Sequence, residues 1–394
     1  MVFTKQGITI VIKYPLSDDT WDAEEIEAIE EVVDSRQFTM GPKTKEYEQK
    51  FAEYFGAKYA VMVNSGSSAN LIAIAALYYS GKLQRGDEVI VPAVSWSTTY
   101  YPIYQYGLKL KFVDIDRDTL NLDLSKVAKA VTKRTKAIFA VNLLGNPNDY
   151  EFLLNICKKN NLLLIEDNCE ALGAKYNNKY TGTFGEIGTF STFYSPHICT
   201  MEGGVAITND EELYHYMLSI RSHGWTRNLP EESKLYKKSK DDFYESFNFI
   251  LPGYNLRPIE FEAAIGLKQI DKIDRVIKMR RRNAECFGEL FNDSNNVSIQ
   301  KEVGLSSWFG FALILKNQLA GKRNMVIDKL LKNNIEVRPI VTGNFTKNPV
   351  IKYMDYEITG NLVNANYIHE NGFFVGNHST EINSKMENLF NVLN

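Results

Sequence analysis

The chain has 394 residues, 44% of them hydrophobic and 24% charged, with a formal net charge of -3. That length suits a large core and a second, smaller one, and the near-balanced charge, with no basic stripe interleaved with aromatics, argues against a nucleic-acid partner. The N-terminal apolar run at 8–12 is broken by Lys13 and Pro15, too short for a signal-peptide core or a membrane span, so a cytoplasmic protein is expected with no membrane association.

In chain order, Asp19-Thr20-Trp21-Asp22-Ala23-Glu24-Glu25 reads as a polar cap with acidic residues opening a helix that runs to about Ser35. Gly41-Pro42 breaks the chain, and 44–54 reads as a second amphipathic helix ended by Gly56. Ala60-Val61-Met62-Val63 is strand-like and leads into Asn64-Ser65-Gly66-Ser67-Ser68-Ala69-Asn70 and an apolar helix. Small residues at such a turn expose backbone N–H groups at the positive end of the helix dipole, a ready phosphate cradle; the same residues also cap helices that bind nothing. Ile90-Val91-Pro92 leads to Trp96, an aromatic that either lies on a flat ring or fills a core.

Short apolar strands at 110–113 and 137–141, the latter followed by Asn142-Leu143-Leu144-Gly145-Asn146-Pro147, alternate with helices and imply a mostly parallel sheet covered on both faces. Ligands on such sheets sit at the carboxyl ends of the strands. Leu162-Leu163-Leu164-Ile165-Glu166-Asp167 is apolar enough to be central and ends in Asp167, with Glu170 close behind. A carboxylate there can hold a pyridine nitrogen or simply cap a turn.

The stretch Gly188-Thr189-Phe190-Ser191-Thr192-Phe193-Tyr194-Ser195-Pro196-His197 precedes a tight turn at Glu202-Gly203-Gly204 and a strand at 205–208. Beyond it come Arg221-Ser222-His223-Gly224-Trp225, a polar surface loop at 228–242, and Gly253-Tyr254-Asn255-Leu256-Arg257. A long helix from Pro258 to about Asn283 carries the basic cluster 268–282, which reads as a charged outer face. A strand at 308–315, a helix at 325–333 and a strand at 335–339 suggest a smaller α+β domain. Arg338 there suits a carboxylate or phosphate, or is a strand-end charge.

Taken together, the Asn64–Asn70 turn, Asp167, the 188–204 stretch, Arg-x-His-Gly and Gly-Tyr-Asn-x-Arg fall in the order seen in the DegT/DnrJ/EryC1/StrS sugar aminotransferase family, and the chain resembles it over most of its length. The resemblance implies the pyridoxal 5'-phosphate (PLP) fold type I: a large α/β domain, expected at 1–260, with a mostly parallel seven-stranded sheet, and a small C-terminal α+β domain at 261–394. It also implies cofactor contacts from Gly66, Ser67 and Ser68, stacking by Trp96, an ion pair with Asp167, orientation by Glu170, and a phosphate-binding hydroxyl at Thr192 or the neighbouring Ser191. Asn255 is expected to reach the cofactor phosphate of the neighbouring subunit, which makes a homodimer with shared sites, and His223, Arg257 and Arg338 are candidate substrate contacts.

In most of the family a lysine between the aromatic-rich strand and the Glu-Gly-Gly turn bonds covalently to the cofactor. Here that position is His197, which has no primary amine but can take and give a proton. The resemblance is to the histidine-bearing branch that removes the C3 hydroxyl of GDP-4-keto-6-deoxy-D-mannose in deoxysugar biosynthesis for lipopolysaccharide O-antigen. Glutamate would regenerate the pyridoxamine form, and both cofactor forms would be held without a covalent bond. A second histidine-bearing branch carries a [2Fe–2S] cluster on cysteines after the histidine; the four cysteines here are Cys157, Cys169, Cys199 and Cys286, and too few of them follow His197 for such a cluster. No disulfide framework and no metal site is expected. The alternatives are a nucleotide-sugar 4-aminotransferase and a non-catalytic relative.

Overall fold

The computed structural model of the chain describes residues 2–5, 8–194 and 197–393, with side chains from Ile12 onward. Local sequence signals set most element ends. Asp22 and Glu25 form a reciprocal capping box at the start of helix Ala23–Ser35. Helix Pro42–Phe55 begins on a proline and stops at Gly56, whose φ of 72° the glycine adopts without a Cβ penalty.

An eight-stranded sheet forms the centre of the molecule. From one edge its strands are Tyr356–Ile358, Lys109–Val113, Glu88–Pro92, Thr135–Val141, Leu163–Asp167, Ile187–Ser191, Gly204–Thr208 and Tyr59–Val63. All pairings are parallel except the two made by Gly204–Thr208. The expected seven strands are thus joined at one edge by Tyr356–Ile358, which comes from the C-terminal part of the chain and pairs with Lys109–Val113.

Helix Gly66–Tyr79 is buried along nearly its whole length, as expected of a helix apolar all round. It packs against strands Ile187–Ser191 and Gly204–Thr208, the first of which pairs with the strand that ends in Asp167.

Helix Glu260–Phe291 runs from the large sheet to a small three-stranded antiparallel sheet of Val297–Ile299, Gly310–Leu315 and Gly372–Gly376. The core of that unit gathers Phe287, Phe291, Phe311 and Met386. Tyr14 is buried in the same core and donates its hydroxyl to the Gly376 carbonyl at 2.7 Å, so the N-terminal stretch, like Tyr356–Ile358, crosses the expected boundary at 260.

Two local expectations are corrected. The segment 335–339 forms only isolated bridges, Tyr14 with Ile335 and Arg338 with Phe374, because its two ends pair with different parts of the chain, one parallel and one antiparallel, and no single ladder spans it. The basic cluster at 268–282 is not merely a solvated face. Lys272 is buried against Glu25 at 2.7 Å, and Arg280 is buried with its guanidinium 3.0 Å from the Phe309 carbonyl.

Candidate active site

Asp167 ends its strand between Val141 on one neighbour and Thr189 on the other, which sets it at the carboxyl edge of the sheet, where ligands bind in such folds. A cavity of about 490 Å³ opens there. The large domain lines it with Ser65, Gly66, Ser67, Trp96, Asp167, Cys169, Glu170 and Ser191, and the small domain with Phe309, Arg338, Pro339 and Phe374.

Gly66 is the first residue of its helix, and its bare Cα is required: a Cβ would stand 2.6 Å from Ser191 Cβ. Ser65 caps this helix by accepting from the Ser68 N–H at 3.1 Å. Ser67 lines the cavity with its hydroxyl 3.2 Å from Thr98 Oγ1. Trp96 immediately precedes helix Ser97–Gln105 and is 57% exposed, so it is a ring available to a ligand rather than a core filler.

Asp167 is buried and fully oriented. Its Oδ2 accepts from Asn70 Nδ2 at 2.9 Å and from Thr99 Oγ1 at 2.8 Å, and its Oδ1 accepts from the Cys169 N–H at 3.1 Å. Glu170 accepts from the Leu144 N–H at 2.9 Å. Burial, reinforced by the Asp167 charge and opposed by that hydrogen bond, pushes the Glu170 carboxyl up to about 7.

Ser68 donates to Asn64 Oδ1 at 2.6 Å, which commits its hydroxyl to the helix cap, and it does not line the cavity. Thr192 is likewise buried, its hydroxyl 2.6 Å from Thr200 Oγ1; Ser191 is the hydroxyl that reaches the cavity. The strand ends at Ser191, and just beyond it the Thr192 backbone is bonded to Gly203 and Thr200, which keeps the Thr192 side chain inside.

His197 is buried, and its Nε2 lies 2.9 Å from the Ser307 carbonyl oxygen. Its ring sits 6.2 Å from that of Phe309, which lines the cavity, so the imidazole stands one side chain behind the wall. Nδ1 is buried with no partner among the described residues. Burial first, then the Arg280 charge, holds the imidazole well below its usual range. Ser195 and Pro196, also part of the expected anchoring stretch, lie outside the described residues.

Asn255, Arg257 and His223 do not line the cavity of their own chain. Asn255 accepts from Arg257 Nε at 2.9 Å, and His223, with φ 63°, sets its ring 5.5 Å from Trp225. Arg338 does line it, with its side chain 61% exposed.

A family model, the DegT/DnrJ/EryC1/StrS aminotransferase family, matches residues 19–391. The chain belongs to this family. Within the family, it is 56% identical over 388 residues to GDP-4-keto-6-deoxy-D-mannose 3-dehydratase of Yersinia pseudotuberculosis, covering 98% of this chain and 99% of the relative. Its fold matches the Escherichia coli GDP-4-keto-6-deoxy-D-mannose-3-dehydratase with bound hydrated PLP, with a TM-score of 0.96, 54% identity and coverage of 98% and 100%. It also matches GDP-4-keto-6-deoxymannose-3-dehydratase with a trapped PLP-glutamate geminal diamine, with a TM-score of 0.95, 54% identity and coverage of 97% and 100%.

Some site residues were out of reach of sequence reasoning. Asn70 and Thr189 fall inside the turn and the stretch that carry the resemblance but with no role of their own there, and Thr99 stands outside any motif. Phe309 and Phe374 come from a distant part of the chain, and only the docking of the small domain brings them to the cavity.

Proposed function

We propose that the chain is a PLP-dependent 3-dehydratase that removes the C3 hydroxyl of GDP-4-keto-6-deoxy-D-mannose, with glutamate as amino donor. The observation that carries this reading is a family cofactor cradle that keeps its aspartate, aromatic and helix N-terminus while His197 stands where a lysine would anchor the cofactor. The near full-length likeness to 3-dehydratases points the same way.

The residues present fit PLP. The N–H groups opening helix Gly66–Tyr79, with the Ser67 and Ser191 hydroxyls, suit a phosphate. Trp96 offers its ring for stacking, Asp167 Oδ1 keeps an acceptor position for the pyridine nitrogen, and Glu170 orients the ring. Bound there, the pyridoxamine form supplies the amine that engages the sugar ketone and a ring that takes up the electron pair released beside it.

His197 moves the protons. The Ser307 carbonyl can only accept, so Nε2 carries the hydrogen and Nδ1 the lone pair. That lone pair is the group that would take the proton at C4' of a bound cofactor and would return one to the departing C3 hydroxyl. Without a primary amine the residue cannot recapture the cofactor covalently, which favours release of the amine as ammonia over its transfer to the sugar. Arg338, at the cavity wall, bears on the anionic groups of substrate or glutamate.

The working unit is a homodimer. Phe243, Tyr244, Phe247 and Phe249 are exposed on the segment that leads to Asn255, the last two with their rings against Trp225, and exposed aromatics of this kind suit an interface. A second copy seated there brings Asn255 of the partner subunit to the cofactor phosphate, with Arg257 and His223 following it. No helix of the described residues is long and apolar enough to cross a membrane, and a nucleotide-sugar substrate with glutamate suits the cytoplasm.

The test is to incubate the purified protein with PLP, glutamate and GDP-4-keto-6-deoxymannose, following free ammonia and the mass of the sugar nucleotide. Ammonia with a 3-deoxy-4-keto product is expected. A 4-amino sugar without free ammonia would overturn the reading in favour of an aminotransferase.

A further inference from the structure

Proton counting around Asp167 fixes more than its position. Thr99 Oγ1 lies 2.8 Å from Asp167 Oδ2 and also 2.8 Å from Ser95 Oγ. A carboxylate cannot donate, so the single Thr99 hydrogen goes to Asp167 and Ser95 must donate to Thr99.

On the other side Asn70 Nδ2 donates to the same Oδ2, while Asn70 Oδ1 accepts from Thr189 Oγ1 at 2.6 Å. An amide is nearly symmetric in shape, and turned over it would set an oxygen against the carboxylate. The carboxylate, which can only accept, excludes this, and the Thr189 hydroxyl holds the amide in the remaining orientation by donating to Asn70 Oδ1 at 2.6 Å, closer than its other acceptor, the Glu166 carbonyl at 3.3 Å.

Asn70, Thr99 and Thr189 are all essentially without exposure, and Thr99 and Thr189 do not line the cavity. Oδ2 therefore has two side-chain donors, whereas Oδ1 takes the backbone N–H of Cys169, with the Cys169 thiol also beside the carboxylate, and among the described residues it retains room for a stronger donor.

We propose that Asn70, Thr99 and Thr189 are positioning residues that decide which oxygen of Asp167 faces the cofactor. They fill Oδ2 and lock the carboxyl plane, so that Oδ1 alone meets the pyridine nitrogen. The inference rests on the PLP reading above and adds to it residues whose hydroxyls never touch the ligand.

The test uses full-length Thr99→Val and Thr189→Val, which keep shape and lose the hydroxyl, beside Thr99→Ser and Thr189→Ser, which restore it. The readouts are the PLP dissociation constant by absorbance titration, the absorbance of bound PLP across pH 6 to 9, and the melting temperature without cofactor. Each valine variant is expected to bind PLP on the order of tenfold more weakly and to shift the pH midpoint of the bound cofactor's absorbance, with the serine variants within about twofold of the parent.

Valine variants that bind PLP as tightly as the parent with an unchanged absorbance profile overturn the inference, and a lowered melting temperature alone would then mark the residues as structural. Should a valine variant fail to fold, alanine at the same position (Thr99→Ala or Thr189→Ala) removes the same bond without a methyl in place of the hydroxyl. Parent protein that binds no PLP in the same titration overturns the cofactor reading itself, an outcome separate from any difference among the variants.

Discussion

His197 Nε2 stands 2.9 Å from the carbonyl oxygen of Ser307, a group from the far side of the domain junction that can only accept. The neighbouring carbonyls are held by cations: Arg281 Nε reaches Ser306 O at 2.9 Å and Arg280 reaches Phe309 O at 3.0 Å. The imidazole thus shares a row of backbone acceptors with two guanidinium groups; burial first, and then their charge, lowers its affinity for a proton, while the Ser307 bond opposes this and fixes its tautomer.

From this pairing follows the behaviour of His197→Asn. Asparagine keeps a polar group near Ser307 but has no proton-transfer nitrogen, so dehydration should fall by about 100-fold or more while PLP still binds. Ammonia release and PLP absorbance measured on one sample check this. In His197→Lys the cofactor should become fixable to the chain by borohydride, seen as a mass increase. The parent should show none.

Glu170 gives the stability a pH dependence of definite sign. Its carboxyl is pushed from 4.5 up to about 7 in the folded chain, chiefly by burial. The folded state holds a proton that the unfolded chain releases, so this contribution is complete below the unfolded value and is lost as pH rises through about 7. The loss is on the order of 3 kcal/mol. Glu170→Gln should therefore melt closer to its pH 5 value at pH 8 than the parent does. Part of the slope should persist, because Glu262 is also pushed up to about 7, again chiefly by burial.

Arg280 is the largest fully buried side chain among the described residues, and it ties helix Glu260–Phe291 to the carbonyls of Trp308 and Phe309, with Asp18 at 4.0 Å. Arg280→Ala removes the bonds and leaves a void, so a loss of about 3–5 kcal/mol is expected in urea unfolding of the cofactor-free protein. Arg280→Met fills more of the space and should lose less. Equal losses for the two would show that packing volume contributes nothing and the hydrogen bonds everything.

The sheet, the Gly66 turn, Asp167 and the helix ends at Asp22 and Gly56 were all legible in the sequence, because each is set by local pattern: apolar strands, small residues at a helix start, a capping box, a glycine stop. Residue-by-residue contacts were less so. Ser191 and Thr192 are chemically alike, and only the end of the strand between them sends the first to the cavity and the second to Thr200. The strand Tyr356–Ile358 and the buried Arg280 depend on docking between distant segments, which no local pattern reports. His197 was legible as the substituted anchor, but its hydrogen bond to Ser307 spans 110 positions of chain and could not be read from spacing.

Gly66→Ala sets two local effects against each other. Alanine is the better helix former by about 1 kcal/mol, yet its Cβ would stand 2.6 Å from Ser191 Cβ and 3.0 Å from Cys169 Sγ. Ser191 Cβ is fixed to the strand and cannot rotate away, so helix Gly66–Tyr79 has to part from strand Ile187–Ser191 and the clash outweighs the propensity. The variant should melt several degrees lower and bind PLP at least about tenfold more weakly, although every N–H donor of the turn is still present. The double variant Gly66→Ala with Ser191→Gly removes the obstructing carbon and should recover most of the melting temperature. It should not recover PLP affinity, because the same change removes the cavity hydroxyl. Recovery of both would show that Ser191 serves packing alone, and recovery of neither would place the requirement for glycine elsewhere than in this contact.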